Sequence, residues 1–369
     1  MSLRRSRAWP RLYVMAAAGL RMAARRERPA EVRRILIAQH LLLGDTIMLT
    51  PLLKKARAQY PSAEIVMACP RPYAAIYEKR PYGVEAMPFE ARSLPDHIAL
   101  RKRRGYDLAL IPGDNRWSWL ARALDARWIV AFAPDAARYH DWPVDEQRPM
   151  PQEPMSWGDM AARLIDGPEP AAYQPAEWPA PSYAPYEKPA GRYCVLHLGA
   201  SSPHKRWPEE RWREVLRWAE GRGYEVVLSA GRGEEALTAP VDPEGRRSRL
   251  VGRLDLAQMW DLLAHAAFLV CPDTGIAHLA RLVGVPTVAL YGPGSPISTG
   301  PGRFWANSPF RAVWDPDVPC RDQDRLFERR LVWLRQCWRG VAECGDPVCI
   351  RRIQVAHVIG AIQELVQLR

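Results

Sequence analysis

The chain contains no apolar run that could cross a bilayer. Its N-terminal apolar stretch, residues 12–24, is interrupted by Arg21 and falls short of the ~20 apolar residues a spanning helix needs. No G-x-G-x-x-G follows the first strand-like run, residues 33–38. That run leads instead into Gln39-His-Leu-Leu-Leu-Gly-Asp45, which argues against the phosphate-binding fingerprint of a nicotinamide-dependent oxidoreductase. The seven cysteines include no C-x2-C knuckle, and no internal repeat is visible. Lysine is absent from residues 1–34, whose ten arginines face only Glu27 and Glu31. Of the net charge of +11, this leader carries +8, so the remaining 42 basic and 39 acidic residues nearly balance. A nucleic-acid-binding fold would carry its basic face on the folded body, and no nucleic-acid partner is expected.

The leader reads as a basic amphipathic helix, residues 1–32, lying on an anionic inner-membrane surface. The alternatives are an extension without function, or a signal peptide built on Ala16-Ala-Ala18. The 369 residues suffice for two domains. The 35 prolines are spread along the chain, which argues against one disordered tract.

From residue 33 onward, short apolar runs alternate with helical patterns. Strands are expected at 33–38, 64–68, 106–111 and 128–132, with helices at 47–60 and 117–124. This alternation predicts an α/β domain with a parallel sheet over 33–165. A Pro-rich linker follows at 166–190. A second α/β domain is expected over 191–350. Its strands fall at 193–198, 225–229, 250–251, 268–271 and 287–291, and its helices at 209–222, 233–239, 255–265 and 276–283. A last helix is expected at the C-terminus, within the closing segment 351–369.

Two strand-to-helix junctions stand out: His197-Leu-Gly-Ala-Ser-Ser-Pro-His-Lys205-Arg-Trp-Pro208 and Asp273-Thr-Gly-Ile-Ala-His278. Small residues between a strand and a helix leave free N–H groups at the positive end of the helix dipole, which suits an anion. Ligands of open parallel sheets collect at the carboxyl ends of the strands. The two junctions therefore suggest loops converging on one phosphorylated ligand.

With these motifs, Leu-Gly-Asp-Thr-Ile…Thr-Pro-Leu-Leu (residues 43–53), Ser229-Ala-Gly-Arg-Gly-Glu-Glu235 and Leu290-Tyr-Gly-Pro293, the chain resembles glycosyltransferase family 9 over residues 33–369. That family comprises the ADP-heptose heptosyltransferases of bacterial surface polysaccharide assembly. The resemblance implies a GT-B fold, two Rossmann-like domains facing across a cleft, with the acceptor mainly on the first and the donor mainly on the second. It implies an inverting, metal-independent transfer of heptose from ADP-heptose, a cytoplasmic or peripheral inner-membrane location, and no catalytic cofactor. The Asp-x-Asp pair of metal-dependent transferases has no counterpart at a matching place. The acceptor is expected to be a lipid-linked glycan of the lipopolysaccharide core; a protein acceptor, a different nucleotide sugar and an epimerase are the alternatives.

The resemblance also assigns roles. Asp45 matches the general base that takes the acceptor proton; the alternative is an N-cap of the following helix. Lys205 matches a cation stabilising charge on the leaving diphosphate. Ser201 and Ser202 would donate to phosphate oxygens. Asp273, Thr274, Gly275 and His278 would hold the diphosphate and sugar, with a core-facing histidine as the alternative for His278. Glu234, or its neighbour Glu235, would hold the ribose hydroxyls. Asp114 and Asn115 top the first sheet on the acceptor side.

Cys69, Cys194 and Cys271 lie in or beside strands and read as packing residues. Cys320, Cys337, Cys344 and Cys349 cluster late and suggest a structural iron or zinc site; free thiols and disulfides are the alternatives. Similar cysteines hold iron in the autotransporter heptosyltransferases.

Overall fold

The structure, a computed structural model, describes residues 8–22 and 26–367. They form two compact units. The first spans residues 1–171 together with 325–332, the second 172–324 together with 333–369.

The first unit contains α1 (Ala8–Met22), β1 (Arg34–Ile37), α2 (Leu43–Met48), α3 (Thr50–Gln59), β2 (Glu64–Pro70), β3 (Val84–Phe89), α4 (Leu94–Leu100), β4 (Tyr106–Ile111), α5 (Trp117–Ala123), β5 (Ala126–Phe132), β6 (Glu146–Arg148) and α6 (Trp157–Ala162). Its strands pair in parallel in the order β3-β2-β1-β4-β5-β6. β1 and β2 are near-continuous buried apolar runs, as expected of parallel strands covered on both faces. The helix expected at 47–60 is two helices, and Pro51 sits second in α3, where its missing N–H costs little.

The second unit contains β7 (Tyr193–His197), α7 (Glu209–Glu220), β8 (Glu225–Ser229), β9 (Ser248–Arg249), α8 (Leu256–His265), β10 (Leu269–Pro272), α9 (Gly275–Val283), β11 (Thr287–Tyr291), β12 (Phe310–Trp314), α10 (Val348–Arg351) and α11 (Val355–Gln367). Its parallel sheet runs β12-β11-β10-β7-β8-β9. This repeats the first sheet's connectivity, with crossovers reversing direction between β7 and β10 as they do between β1 and β4. Such a reversal opens a crevice at the carboxyl ends of the two central strands.

Three segments depart from the expected organisation. The Pro-rich run is fastened to the second unit from residue 172: Tyr173 and Trp178 are buried, and the Tyr173 hydroxyl donates to the Leu282 carbonyl at 2.8 Å. The chain also leaves the second unit after Asp324, contributes the antiparallel hairpin β13 (Arg325–Leu326) and β14 (Arg329–Arg330) to the first, and returns at Trp333. The expected helix at 233–239 is a short 3-10 turn, Glu235–Leu237.

Candidate active site

In the second unit, β7 and β10 are hydrogen-bonded neighbours, so their trailing loops emerge side by side. After β7, Pro203–Lys205 forms a 3-10 turn whose N-cap, Ser202, accepts a bond from the His204 amide at 3.3 Å. The turn aims Lys205 at the end of β10, where its Nζ donates to Asp273 Oδ2 and to the Asp273 carbonyl, both at 2.9 Å. The side chains of this pair are only 18% and 7% exposed. Such burial strengthens the attraction and makes loss of either partner costly.

Asp273 is itself fixed by its amide, which donates to the Leu290 carbonyl of β11 at 3.0 Å. Gly294 passes directly over the carboxylate: a Cβ there would lie 2.4 Å from Asp273 Oδ2. Thr274 then caps α9 by position, with extended backbone and no side-chain cap bond, and Gly275 opens the helix. The first-turn amides therefore sit beside the Lys205 ammonium, two sources of positive potential in one place.

His278 is buried on α9. Burial pushes its pKa well below the usual histidine value, and the nearby Arg281 and Lys205 charges push it further down. It is neutral at physiological pH, and its Nδ1 has no hydrogen-bond partner among the described residues. His197, at the end of β7, is likewise held neutral by burial, with a pKa of about 4, and its Nδ1 lies 3.1 Å from Ser229 Oγ.

The two neighbouring acids are placed differently. Glu234 folds back over the β7 loop, accepting from the Gly231 amide at 2.9 Å and the Ala200 amide at 3.3 Å. A Cβ on Gly199 would lie 2.1 Å from its Oε2. Glu235 is exposed and bonds only locally, to the Gly233 amide. Ser201 is exposed on the same loop.

Arg281 was not singled out in the sequence. It is fully buried one turn beyond His278. Its guanidinium donates to the Gly300 and Thr299 carbonyls at 2.8 and 2.5 Å and lies 4.5 Å from the Phe310 ring centroid. It thereby pins the loop after β11 that carries Gly294. The available signal was the Gly/Pro/Ser/Thr-rich run 292–302 after the Leu290-Tyr-Gly-Pro293 motif, a long loop needing an internal anchor.

In the first unit, Asp45 is the third residue of α2, half-buried, in the first turn. The N-cap position belongs to Leu42, so Asp45 is not the cap. Gln39 shapes the approach by accepting from the Leu41 amide at 2.6 Å. Tyr73, also missed in the sequence, neighbours the carboxylate: burial raises its hydroxyl pKa, and the Asp45 charge raises it further. Beside this loop, His40 stacks on Trp117 at 5.6 Å and meets Phe89 edge-on at 5.0 Å.

Asp114 and Asn115 top β4 as expected. Asp114 is engaged by Arg116 at 2.6 Å. Asn115 is a buried strut: it donates to Asp141 Oδ1 at 2.6 Å and to the Phe132 carbonyl at 3.0 Å. It also accepts from Arg329 of β14 at 2.7 Å. Arg329 further donates to the Gly113, Phe132 and Ala133 carbonyls at 2.9 to 3.0 Å. Phe327, at the hairpin turn, packs 4.6 Å from the Trp157 ring. Phe327 and Glu328 both take positive φ, 46° and 67°, the two-residue turn geometry that matches strand twist.

The expected metal centre is not assembled. Among the described residues, no three His, Cys, Asp or Glu side chains are placed to hold a metal ion. All seven cysteines are free thiols, Cys320 exposed and Cys349 buried. Burial raises the Cys349 pKa to about 11, with Cys320 and Cys337 adding to the rise. Arginines and a histidine, rather than thiols, stitch this segment together. Arg339 donates to the Cys320 carbonyl at 2.6 Å, Arg321 to the Gly292 carbonyl at 2.8 Å, and His204 Nε2 contacts the Cys344 carbonyl at 2.7 Å. Cys69, Cys194 and Cys271 are buried strand residues, as read from the sequence.

This geometry agrees with what the chain is similar to. Residues 99–320 match the model of glycosyltransferase family 9 (heptosyltransferase). Lipopolysaccharide heptosyltransferase 1 of Pseudomonas aeruginosa is 28% identical over 358 residues, covering 90% of this chain and 98% of that protein. A glycosyltransferase family 9 structure from Veillonella parvula superposes with a TM-score of 0.72 at 18% identity, over 92% of this chain and 99% of the other. An Escherichia coli heptosyltransferase with ADP gives 0.67 at 18% identity, over 90% and 99%. The doubly wound sheets are those of the GT-B fold, and the chain belongs to glycosyltransferase family 9, the heptosyltransferases.

Proposed function

We propose that this protein transfers a heptose from ADP-heptose to a hydroxyl of the growing lipopolysaccharide core, with inversion at the anomeric carbon. The observation that carries the reading is the buried Lys205–Asp273 pair at the start of α9, set at the crossover reversal of the second sheet. In the reaction, the acceptor oxygen bonds to the anomeric carbon as the bond from that carbon to the β-phosphate oxygen breaks. Asp45 takes the acceptor proton, and ADP leaves. Lys205 and the first-turn amides of α9 stabilise the charge that builds on the diphosphate. Asp273 orients Lys205 and accepts from sugar hydroxyls. Ser201 and Ser202 donate to phosphate oxygens, Glu234 holds the ribose, and neutral His278 lies beneath the phosphates.

This chemistry needs no metal, because a lysine and a helix terminus supply the positive charge. The Pseudomonas relative, matched over nearly its whole length, acts on lipopolysaccharide, which favours a lipid-linked glycan over a protein acceptor. A nucleotide-sugar donor supports a cytoplasmic location for the reaction.

The test is transfer and donor hydrolysis by purified protein, comparing ADP-heptose with UDP- and GDP-sugars, with and without chelator. Turnover of ADP-heptose alone, unaffected by chelator, is expected. Failure of every ADP-sugar to bind would refute the donor assignment, and inhibition by chelator would refute metal independence.

A further inference from the structure

Helix α1 is apolar on two opposite sides, and only one of them is used by the fold. At 100° per residue, Pro10, Val14, Ala17 and Ala18 fall on one face and are buried; the last three join the core cluster that includes Trp119, Leu120 and Ala121 of α5. Trp9, Leu12, Ala16 and Leu20 fall on the opposite face. Trp9 is 51%, Leu12 57% and Leu20 80% exposed. A docked helix normally turns polar residues outward, and a contiguous exposed apolar stripe marks an interaction surface.

The charges around α1 divide in the same way. Arg21 pairs with Asp125 at 2.8 Å, Arg26 with Asp145 at 3.3 Å and Arg28 with Asp166 at 3.4 Å. These C-terminal arginines of the leader fasten it to the first unit. Arg11 makes no ion pair among the described residues, and Arg4, Arg5 and Arg7 precede the helix in sequence. In sequence, these four arginines flank the end of α1 that exposes Trp9 and Leu12.

We infer that the outward face of α1 seats the first unit on a bilayer carrying anionic headgroups. Trp9, Leu12 and Leu20 insert at the headgroup boundary while the N-terminal arginines meet the lipid charge. This rests on the lipid-linked acceptor proposed above only for its purpose: it holds the acceptor-binding unit where such a substrate resides. Charge complementarity selects the occupant, since a second copy of this chain would bring like charge against like.

The experiment is co-sedimentation of the full chain with vesicles of phosphatidylglycerol and phosphatidylcholine, or of phosphatidylcholine alone, at 0.15 M and 0.5 M salt. Its partner is the triple variant Trp9→Ser, Leu12→Ser and Leu20→Ser. The wild type is expected to bind the anionic vesicles at least about tenfold more tightly than the neutral ones, with salt weakening the difference. The triple variant loses most of that binding while keeping its melting temperature, because the altered side chains face solvent. A deacylated, water-soluble acceptor separates this inference from the proposed function. The variant should glycosylate it like the wild type and fall behind only on vesicle-embedded acceptor. Equal binding by variant and wild type overturns the inference, as does binding indifferent to lipid charge. Concentration-dependent dimerisation abolished by the same substitutions would also overturn it, by assigning the face to a second copy.

Discussion

The two sheets share one connectivity, yet the crevices at their carboxyl ends are built from different materials. In the second unit the crevice is lined by charge: Lys205 paired with Asp273, the start of α9, and Glu234 folded over the β7 loop. In the first it holds the half-buried carboxylates Asp45 and Asp114, with Tyr73 beside Asp45 and the rings of His40, Trp117 and Phe89 next to the Asp45 loop. A borrowed hairpin reaches the neighbouring strand ends through Arg329. Equal topology thus fixes where ligands gather, while loop chemistry decides which ligands. A diphosphate needs preorganised positive charge; a sugar hydroxyl needs one base and apolar walls.

Substitutions in the two crevices should therefore produce separable defects. The largest effect is expected from Asp45→Ala. Loss of a general base lowers kcat by about 10²–10⁴-fold, while calorimetric ADP affinity stays at the wild-type value. If ADP binding fell with kcat, the division of labour between the units would be wrong. Lys205→Met should lower kcat/KM by about 10²–10³-fold and weaken ADP binding as well, because it strands a buried carboxylate. Asp273→Asn should recover part of the lost stability in that background, measured by denaturant unfolding.

Arg329→Met tests the hairpin. It leaves Asn115 Oδ1 and the Gly113 and Ala133 carbonyls without the Arg329 donor, at a cost of about 1–3 kcal/mol. The melting temperature should fall while ADP affinity holds. A drop in ADP affinity would assign the hairpin to the donor side instead.

The smallest effect concerns pH. His197 and His278 have folded pKa values held below the unfolded value, so the unfolded chain binds more protons once the pH drops below about 6.5. Their contribution to stability is complete above that pH and is lost as the pH falls toward about 4, the His197 value. His197→Gln should flatten the stability profile between pH 6.5 and 4; an unchanged slope would show that other groups dominate acid unfolding.

Much of this was legible beforehand because it is written locally. Strand 106–111 was read with its observed bounds from the apolar run 108–111 behind Tyr106 and Asp107. The two strand-to-helix junctions were recognisable because small residues there follow short apolar runs and open helical patterns. The strands β3, β6 and β12 were missed. β3 contains Pro88 and β6 is a charged three-residue edge strand, Glu146–Arg148. In both cases sheet pairing overrides weak local preference. Arg281 and Arg329 were invisible for another reason: a buried arginine in isolation reads like any surface arginine until its carbonyl acceptors, distant in sequence, are known.

By itself the sequence determined the alternation of buried strands and helices, the leader's concentrated charge, and the loop motifs that identify the family. Each of these depends on side-chain chemistry within a few residues. Only the tertiary structure folded Glu234 over the β7 loop while leaving Glu235 exposed, joined Lys205 to Asp273, and docked the hairpin through Arg329. Among the described residues it also placed no three of the late cysteines to hold a metal ion, with arginines bonded to the carbonyls around them. Those outcomes depend on which groups meet across tens or hundreds of residues, where burial and hydrogen-bond satisfaction choose among partners that look alike along the chain.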